Sequence, residues 1–210
     1  MRSATAMSLI EALVLDYGGV LSLPQPANWY QVVGRQLSVA ADLFHAAYWQ
    51  HRQAYDAGLP AEDYWMQVLA TLGRSAQAAE VERLIESDVV SWTRYREDVW
   101  DVARSFRRLG GRTGFLSNGV PEAMARIRAE RQLESCFDAV IVSCEVGVAK
   151  PDPRIYQMCL SRLSVAADRT LFVDDRLENL QGAAKLGMRT LHFGSGDAIK
   201  QLTDLTKRTS

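Results

Sequence analysis

Short apolar runs that stop at a polar residue recur along the chain. They are Ala12 to Leu15 before Asp16, Gly114 to Leu116 before Ser117, Ala139 to Val148 (a strand to Val142, then turn residues) ahead of Lys150, and Leu171 to Val173 before Asp174. Runs this short, bounded by turn residues, fit strands of a parallel sheet buried on both faces. Met188 to Phe193 adds a fifth. After the first run the period changes. From Ala27 to about Ser91 the apolar positions fall at helical spacing: Trp29, Val33 and Leu37; Phe44, Ala47, Tyr48, His51 and Tyr55; Trp65, Val68, Leu69 and Leu72; Val81, Leu84, Ile85 and Val89. Gly58 and Gly73 stand where C-terminal caps belong, and Pro60 and Ser75 stand near the next helix starts. A helix capped by Asp98 then carries Val99, Val102, Phe106 and Leu109 and stops at Gly110-Gly111. Strand and helix alternate from there, with helices opening at Pro121 and Pro153 and a further one from about Leu177 to Leu186. The pattern predicts an α/β fold: a Rossmann-like, doubly wound parallel sheet core (residues 1–23 and 98–210) with a helical bundle inserted at 24–97.

Composition narrows the function. With 24 Lys and Arg against 25 Asp and Glu, the net charge is −1, and no basic face clusters, so neither nucleic acid nor a membrane surface is an expected partner. No apolar stretch approaches membrane-spanning length. Met1 to Ser8 is small and polar and reads as a frayed leader, with Met7 an alternative start, rather than as a signal peptide. Three cysteines, Cys136, Cys144 and Cys159, lack zinc-type spacing and fit a reducing, cytoplasmic setting.

In open α/β sheets ligands bind outside the carboxyl ends of the strands, so the residues that end the runs are the candidates. Asp16 is either a turn residue capping its own loop or a nucleophilic or metal-binding carboxylate that Gly18-Gly19 lets a ligand approach. Ser117-Asn118-Gly119 is a generic turn, or a hydroxyl and successive N–H groups that cradle phosphate oxygens before the helix at Pro121. Lys150, one of four lysines, precedes Pro151 and sits at a helix start with Asp152 as N-cap, where it can neutralise charge. Asp174-Asp175 is the strongest signal. Two adjacent carboxylates at a buried strand end need a cation, a proton or solvent between them, and hard oxygen ligands favour Mg²⁺. Asn179, one turn on, is placed to orient the pair.

Taken in order, these four segments resemble the haloacid dehalogenase superfamily, from Leu13 to about Phe193. The stretch Ser143 to Tyr156, then Phe172-Val173-Asp174-Asp175, Asn179 and Gly187-Met188, is most like the phosphatase domain of soluble epoxide hydrolases and bacterial sugar-phosphate phosphatases. The resemblance implies a phosphate monoester hydrolase in which Asp16 attacks phosphorus to form an aspartyl-phosphate. It implies Mg²⁺ held by Asp16, the carbonyl of Gly18 and Asp175, with Asp174 assisting. Ser117 and Asn118 would bind phosphate oxygens, Lys150 would neutralise charge, and the inserted bundle would be a cap over the crevice. The expected partner is a small phosphorylated metabolite. The cap aromatics (Trp29, Tyr30, Tyr48, Trp49, Tyr55, Tyr64, Trp65, Trp92 and Tyr95) should be mostly bundle core, with a few touching substrate, and they leave a homodimer as a candidate assembly.

One position departs from the family pattern. Most phosphatases of the family carry a second aspartate two residues after the nucleophile, where this chain has Gly18. General acid–base help is worth about 10² to 10⁴-fold, so the expectation is a slow enzyme or one needing a good leaving group. Tyr17 is a candidate substitute donor. Two alternatives remain open: a 2-haloacid dehalogenase, which needs no acid but also no metal, and a non-catalytic ligand- or partner-binding module.

Overall fold

The computed structural model describes residues 9–75, 77–194 and 196–207. The leader expected at Met1 to Ser8, and the last three residues, lie outside the described residues. Five strands form one parallel sheet: β1 (Ala12–Leu15), β2 (Arg112–Ser117), β3 (Ala139–Val142), β4 (Thr170–Asp174) and β5 (Arg189–His192). Their order is β3-β2-β1-β4-β5, with Leu15 beside Phe115 on one flank and Val173 on the other. β1 is therefore central, and the chain reverses its direction of winding around it. That reversal puts the carboxyl ends of β1 and β4 at the switch point where such sheets bind ligands.

Eleven α-helices are described, and the first four lie between β1 and the return to the core: α1 (Trp29–Gln36), α2 (Ala41–Asp56), α3 (Ala61–Thr71) and α4 (Ala78–Trp92). They form the expected inserted bundle around Phe44, Tyr48, Tyr64 and Trp65, each fully buried. Gly58 and Gly73 have φ of +105° and +69°, the left-handed geometry that ends a helix. Then follow α5 (Glu97–Arg108), α6 (Pro121–Arg131), α7 (Leu133–Cys136), α8 (Ser143–Val146), α9 (Pro153–Leu163), α10 (Leu177–Ala184) and α11 (Ala198–Thr206). The strands alternate inward on both faces. Leu13 and Leu15 join the core shared with α5, α6 and the bundle, whereas Ala12 and Val14 join the core beneath α9 and α10.

Three local readings are corrected. Asp98 does not cap α5; the helix opens one residue earlier, and the Asp98 carboxylate accepts the adjacent Val99 N–H at 2.9 Å. After β3 the chain makes the one-turn α8, closed by Gly147 at φ +68°, before Lys150. α10 stops at Ala184, two residues short of Leu186. At α9 the expected cap is present, with Asp152 accepting the Arg154 N–H at 2.9 Å.

Candidate active site

Asp16 follows β1, and its N–H binds the Val173 carbonyl of β4 at 2.9 Å. The two acidic strand ends are thus locked side by side by the sheet itself. One oxygen from each of Asp16, Asp174 and Asp175 lies within 4.8 Å of the others. Lys150 Nζ, its side chain 1% exposed, sits between two of them, 2.6 Å from Asp16 Oδ1 and 2.7 Å from Asp174 Oδ2, and gives its third proton to the Leu116 carbonyl at 3.0 Å. Burial works against the lysine's charge, but the two carboxylates outweigh it and hold its pKa above the ordinary value. Burial also lifts Asp16; Lys150 opposes the rise, and Asp174 adds to it. Asp175 is raised for the same first reason, then by Asp174. Three carboxylates against one ammonium leave an excess of negative charge and hard oxygen donors, which fits a divalent cation.

The three acids are not equivalent. Asp174 is fully buried and already saturated: besides Lys150 it accepts the Arg176 N–H at 2.8 Å and the Asn179 amide at 3.0 Å on both oxygens. Asn179 is itself held by Tyr156, whose hydroxyl donates to its carbonyl at 2.8 Å. Asp16 and Asp175 instead face a cavity of about 590 Å³. Gly19 leaves the room that Asp175 needs against the loop after β1. Its φ is +73°, and a side chain there would meet Asp175 Oδ2 at 2.6 Å.

The Ser-Asn-Gly turn divides its work differently from the sequence reading. Ser117 lines the cavity, and its hydroxyl has no hydrogen-bond partner among the described residues. The Asn118 amide is spent on the main chain of Lys150, donating to its carbonyl at 2.9 Å and accepting its N–H at 2.8 Å. It fixes where the lysine starts, and its side chain is not free for a ligand. The Gly119 N–H is not free either, since it donates to Ser143 Oγ at 3.1 Å. Ser143 in turn donates to the Asp56 carbonyl at the end of α2, so this turn is tied to the inserted bundle. Tyr17 is corrected as a proton source: its hydroxyl donates to the Trp92 carbonyl at 2.6 Å, and burial raises its pKa further.

Residues the sequence did not single out complete the cavity. From α2 comes Arg52, its guanidinium 2.8 Å from Asp56 and 3.5 Å from the buried Asp88, bonded to the Tyr48 hydroxyl and ringed by Tyr48, Trp49, Tyr55 and Trp92 at 5.3–5.9 Å. Gln25 donates to Ser91 at 2.9 Å and accepts Tyr30 at 2.6 Å. Burial raises Asp56, against the pull of Arg52. The available signal was a charged residue one place from the apolar stripe of α2. Of the aromatics, Tyr48, Tyr55, Tyr64 and Trp65 are fully buried, whereas Tyr30, Trp49 and Trp92 line the cavity.

A Rossmann-like core with a carboxylate–lysine cluster at its switch point, beneath inserted helices, defines a capped Rossmann-like α/β class. The family model for haloacid dehalogenase-like hydrolases matches residues 9–187, and the chain belongs to that family. A phosphatase of Mycobacterium tuberculosis is 27% identical over 185 residues, 86% of this chain and 85% of that one. Bifunctional epoxide hydrolase 2 of Sus scrofa is 25% identical over 215 residues, 94% of this chain but 39% of its own length. Acyl-CoA dehydrogenase family member 10 of Mus musculus is 46% identical over 70 residues, 33% of this chain and 6% of its own length. The chain thus spans well under half of two of these three curated relatives. Among solved structures, a predicted family hydrolase of Porphyromonas gingivalis superposes with a TM-score of 0.72 at 21% identity over 96% of this chain and all of that one. A family enzyme of Bacteroides thetaiotaomicron, in complex with magnesium and inorganic phosphate, gives 0.68 at 18% over 89% and 96%. The L-2-haloacid dehalogenase of Xanthobacter autotrophicus gives 0.66 at 20% over 88% and 77%. At these identities the structures establish the fold. Among the described residues, no helix is long and apolar enough to cross a membrane.

Proposed function

We propose that the protein is a Mg²⁺-dependent hydrolase of small phosphate monoesters that works through an aspartyl-phosphate on Asp16. The observation that carries this reading is Asp16 at one wall of the cavity, bridged by Lys150 to a second carboxylate and joined by a third. Asp16 and Asp175, with the Gly18 carbonyl, are the groups that would hold the ion. Asp174, saturated by Lys150, Asn179 and the Arg176 N–H, supports the set by its charge. Bound there, Mg²⁺ supplies positive charge to the phosphoryl oxygens.

Each remaining role follows from position. Asp16 attacks phosphorus, and Lys150, fixed by three acceptors, aims the carboxylate and offsets charge on the transferring group. The cavity-facing Ser117 hydroxyl and the Asn118 main chain receive phosphate oxygens, while the Asn118 side chain keeps Lys150 in place. Residues 24–97 act as the cap that closes over a small phosphorylated metabolite and selects it. The test is phosphate release from sugar, nucleotide, lipid, acyl and aryl phosphates with and without Mg²⁺, beside Asp16→Asn. Activity that survives chelation or that substitution refutes the reading. One observation favours a second reading: Gly18 provides no acid, as suits a 2-haloacid dehalogenase. Halide release in the presence of chelator, without phosphate release, would establish it.

A further inference from the structure

The structure shows what stands where an acid–base side chain is missing. A first side-chain carbon on Gly18 would lie 3.4 Å from Cζ3 of Trp92, with Cε3 and Cη2 at 3.9 and 4.0 Å. Gly18 itself has φ −63° and ψ 125°, a backbone open to any residue, so a side chain at this position would extend in van der Waals contact with the indole. Trp92 is held at both ends. Its carbonyl accepts Tyr17 at 2.6 Å, and its indole N–H points to the Tyr48 hydroxyl at 3.3 Å, away from Gly18. The Arg52 guanidinium lies 5.9 Å from its ring centre. Trp92 also lines the same cavity as Asp16 and Lys150, and Tyr30 and Trp49 continue that wall. Beside the nucleophile loop the cavity therefore presents a fixed aromatic surface and no proton donor from either Gly18 or Trp92.

We propose that Trp92 is the leaving-group wall of the site and that the substrate is an aryl phosphate, the phosphate ester of a phenol. This rests on the phosphatase reading above. As the Asp16 oxygen bonds to phosphorus, the bond from phosphorus to the aryl oxygen breaks. Its electron pair departs on that oxygen as a phenolate, which takes its proton from water. A second water then cleaves the aspartyl-phosphate at phosphorus, giving inorganic phosphate and the Asp16 carboxylate, with the proton lost to solvent. A phenol with a pKa near 10 can leave in this way. An alkoxide, far more basic, needs the proton that a residue at position 18 would have supplied. The flat ring gains contact with Trp92 that a puckered or open-chain alcohol does not.

The experiment measures kcat/KM with Mg²⁺ for phenyl phosphates of graded phenol acidity and for cyclohexyl phosphate, which matches the ring in size but is a basic, non-planar alcohol ester. The wild-type rate should rise steeply with phenol acidity, and cyclohexyl phosphate should lag phenyl phosphate by about 10²-fold or more. Gly18→Asp alone should rescue it less than the double variant with Trp92→Ala, because the new side chain shares its space with the indole, in contact at 3.4–4.0 Å. Gly18→Asp with Trp92→Ala should raise its turnover by about 10²-fold and flatten the acidity dependence. Trp92→Ala should weaken inhibition by phenylphosphonate about threefold to tenfold and leave that by cyclohexylphosphonate unchanged. Wild-type enzyme that cleaves cyclohexyl and phenyl phosphate equally fast overturns this inference alone. Protein that releases phosphate from other substrates of the earlier screen but from no ester in this series also overturns this inference alone. Protein that binds Mg²⁺ yet cleaves none of the phosphates in either set overturns the phosphatase reading and this one with it.

Discussion

Replacing Lys150 with methionine keeps the length of the side chain and removes the ammonium from between two buried carboxylates. The side chain is 1% exposed and its nitrogen lies 2.6 and 2.7 Å from Asp16 and Asp174. Removing one partner of a buried pair costs about 3–5 kcal/mol, because the remaining charge stays buried without compensation. Here Asp16, whose pKa burial raises, can escape by taking up a proton, so the cost depends on pH. Lys150 is charged across pH 5 to 8 in the folded and unfolded states alike, and its own raised pKa changes stability only at more alkaline pH. The variation between pH 5 and 8 therefore comes from Asp16, which burial raises to about 8 even with the lysine beside it. At pH 8 it must either ionise without the lysine or take a proton from a more alkaline medium, and the metal-free variant should lose the full 3–5 kcal/mol or so. At pH 5 that proton costs less, and the loss should be smaller. Urea denaturation at both pH values, in chelator and with matched m-values, measures this directly. A loss below about 1 kcal/mol at pH 8, or a larger loss at pH 5 than at pH 8, would refute the reasoning.

Three further outcomes follow from the same geometry. Gly19→Ala, at φ +73° with the new carbon 2.6 Å from Asp175 Oδ2, should cost about 1–3 kcal/mol and weaken Mg²⁺ binding by calorimetry; unchanged affinity would contradict the close-approach argument. Asn118→Ala removes both hydrogen bonds that hold the Lys150 main chain, so it should lower stability by about 1–3 kcal/mol and lower kcat as well; urea denaturation and turnover check the two effects. Asp16 and Asp175 have pKa values raised from 3.8 by burial, then by neighbours. In metal-free protein their contribution is complete below about pH 4 and is lost as pH rises through the raised values. Mg²⁺ needs both acids ionised, so it should raise Tm more at pH 8 than at pH 5 in melts compared with chelator.

Strand ends were legible in the sequence because a parallel sheet buries both faces, which leaves unbroken apolar runs that stop where the strand gives way to the polar groups of the crevice. Asp16, Ser117 and Asp174 stand at those stops, and the inserted helices were legible from their 3.6-residue period. The division of labour among the polar residues was not. Nothing in Ser117-Asn118-Gly119 says that the middle side chain binds Lys150, 32 residues away, or that the Gly119 N–H goes to Ser143. Such bonds depend on loop geometry that only the folded chain sets. Arg52 escaped notice because a charged residue next to an apolar stripe normally lies in solvent, whereas here Asp56, Asp88 and Tyr48 compensate it inside the bundle. Trp92 was grouped with the bundle aromatics, and its contact with Gly18 crosses 74 positions in sequence.

The central claim is that Asp16 becomes phosphorylated. Acid-quenched enzyme, sampled during turnover of an aryl phosphate and digested, can be analysed by mass spectrometry for the peptide that spans β1. The account predicts that this peptide gains one phosphoryl group on Asp16 when Mg²⁺ is present and none in chelator. Continuing phosphate release with that peptide unmodified at every time point would contradict it.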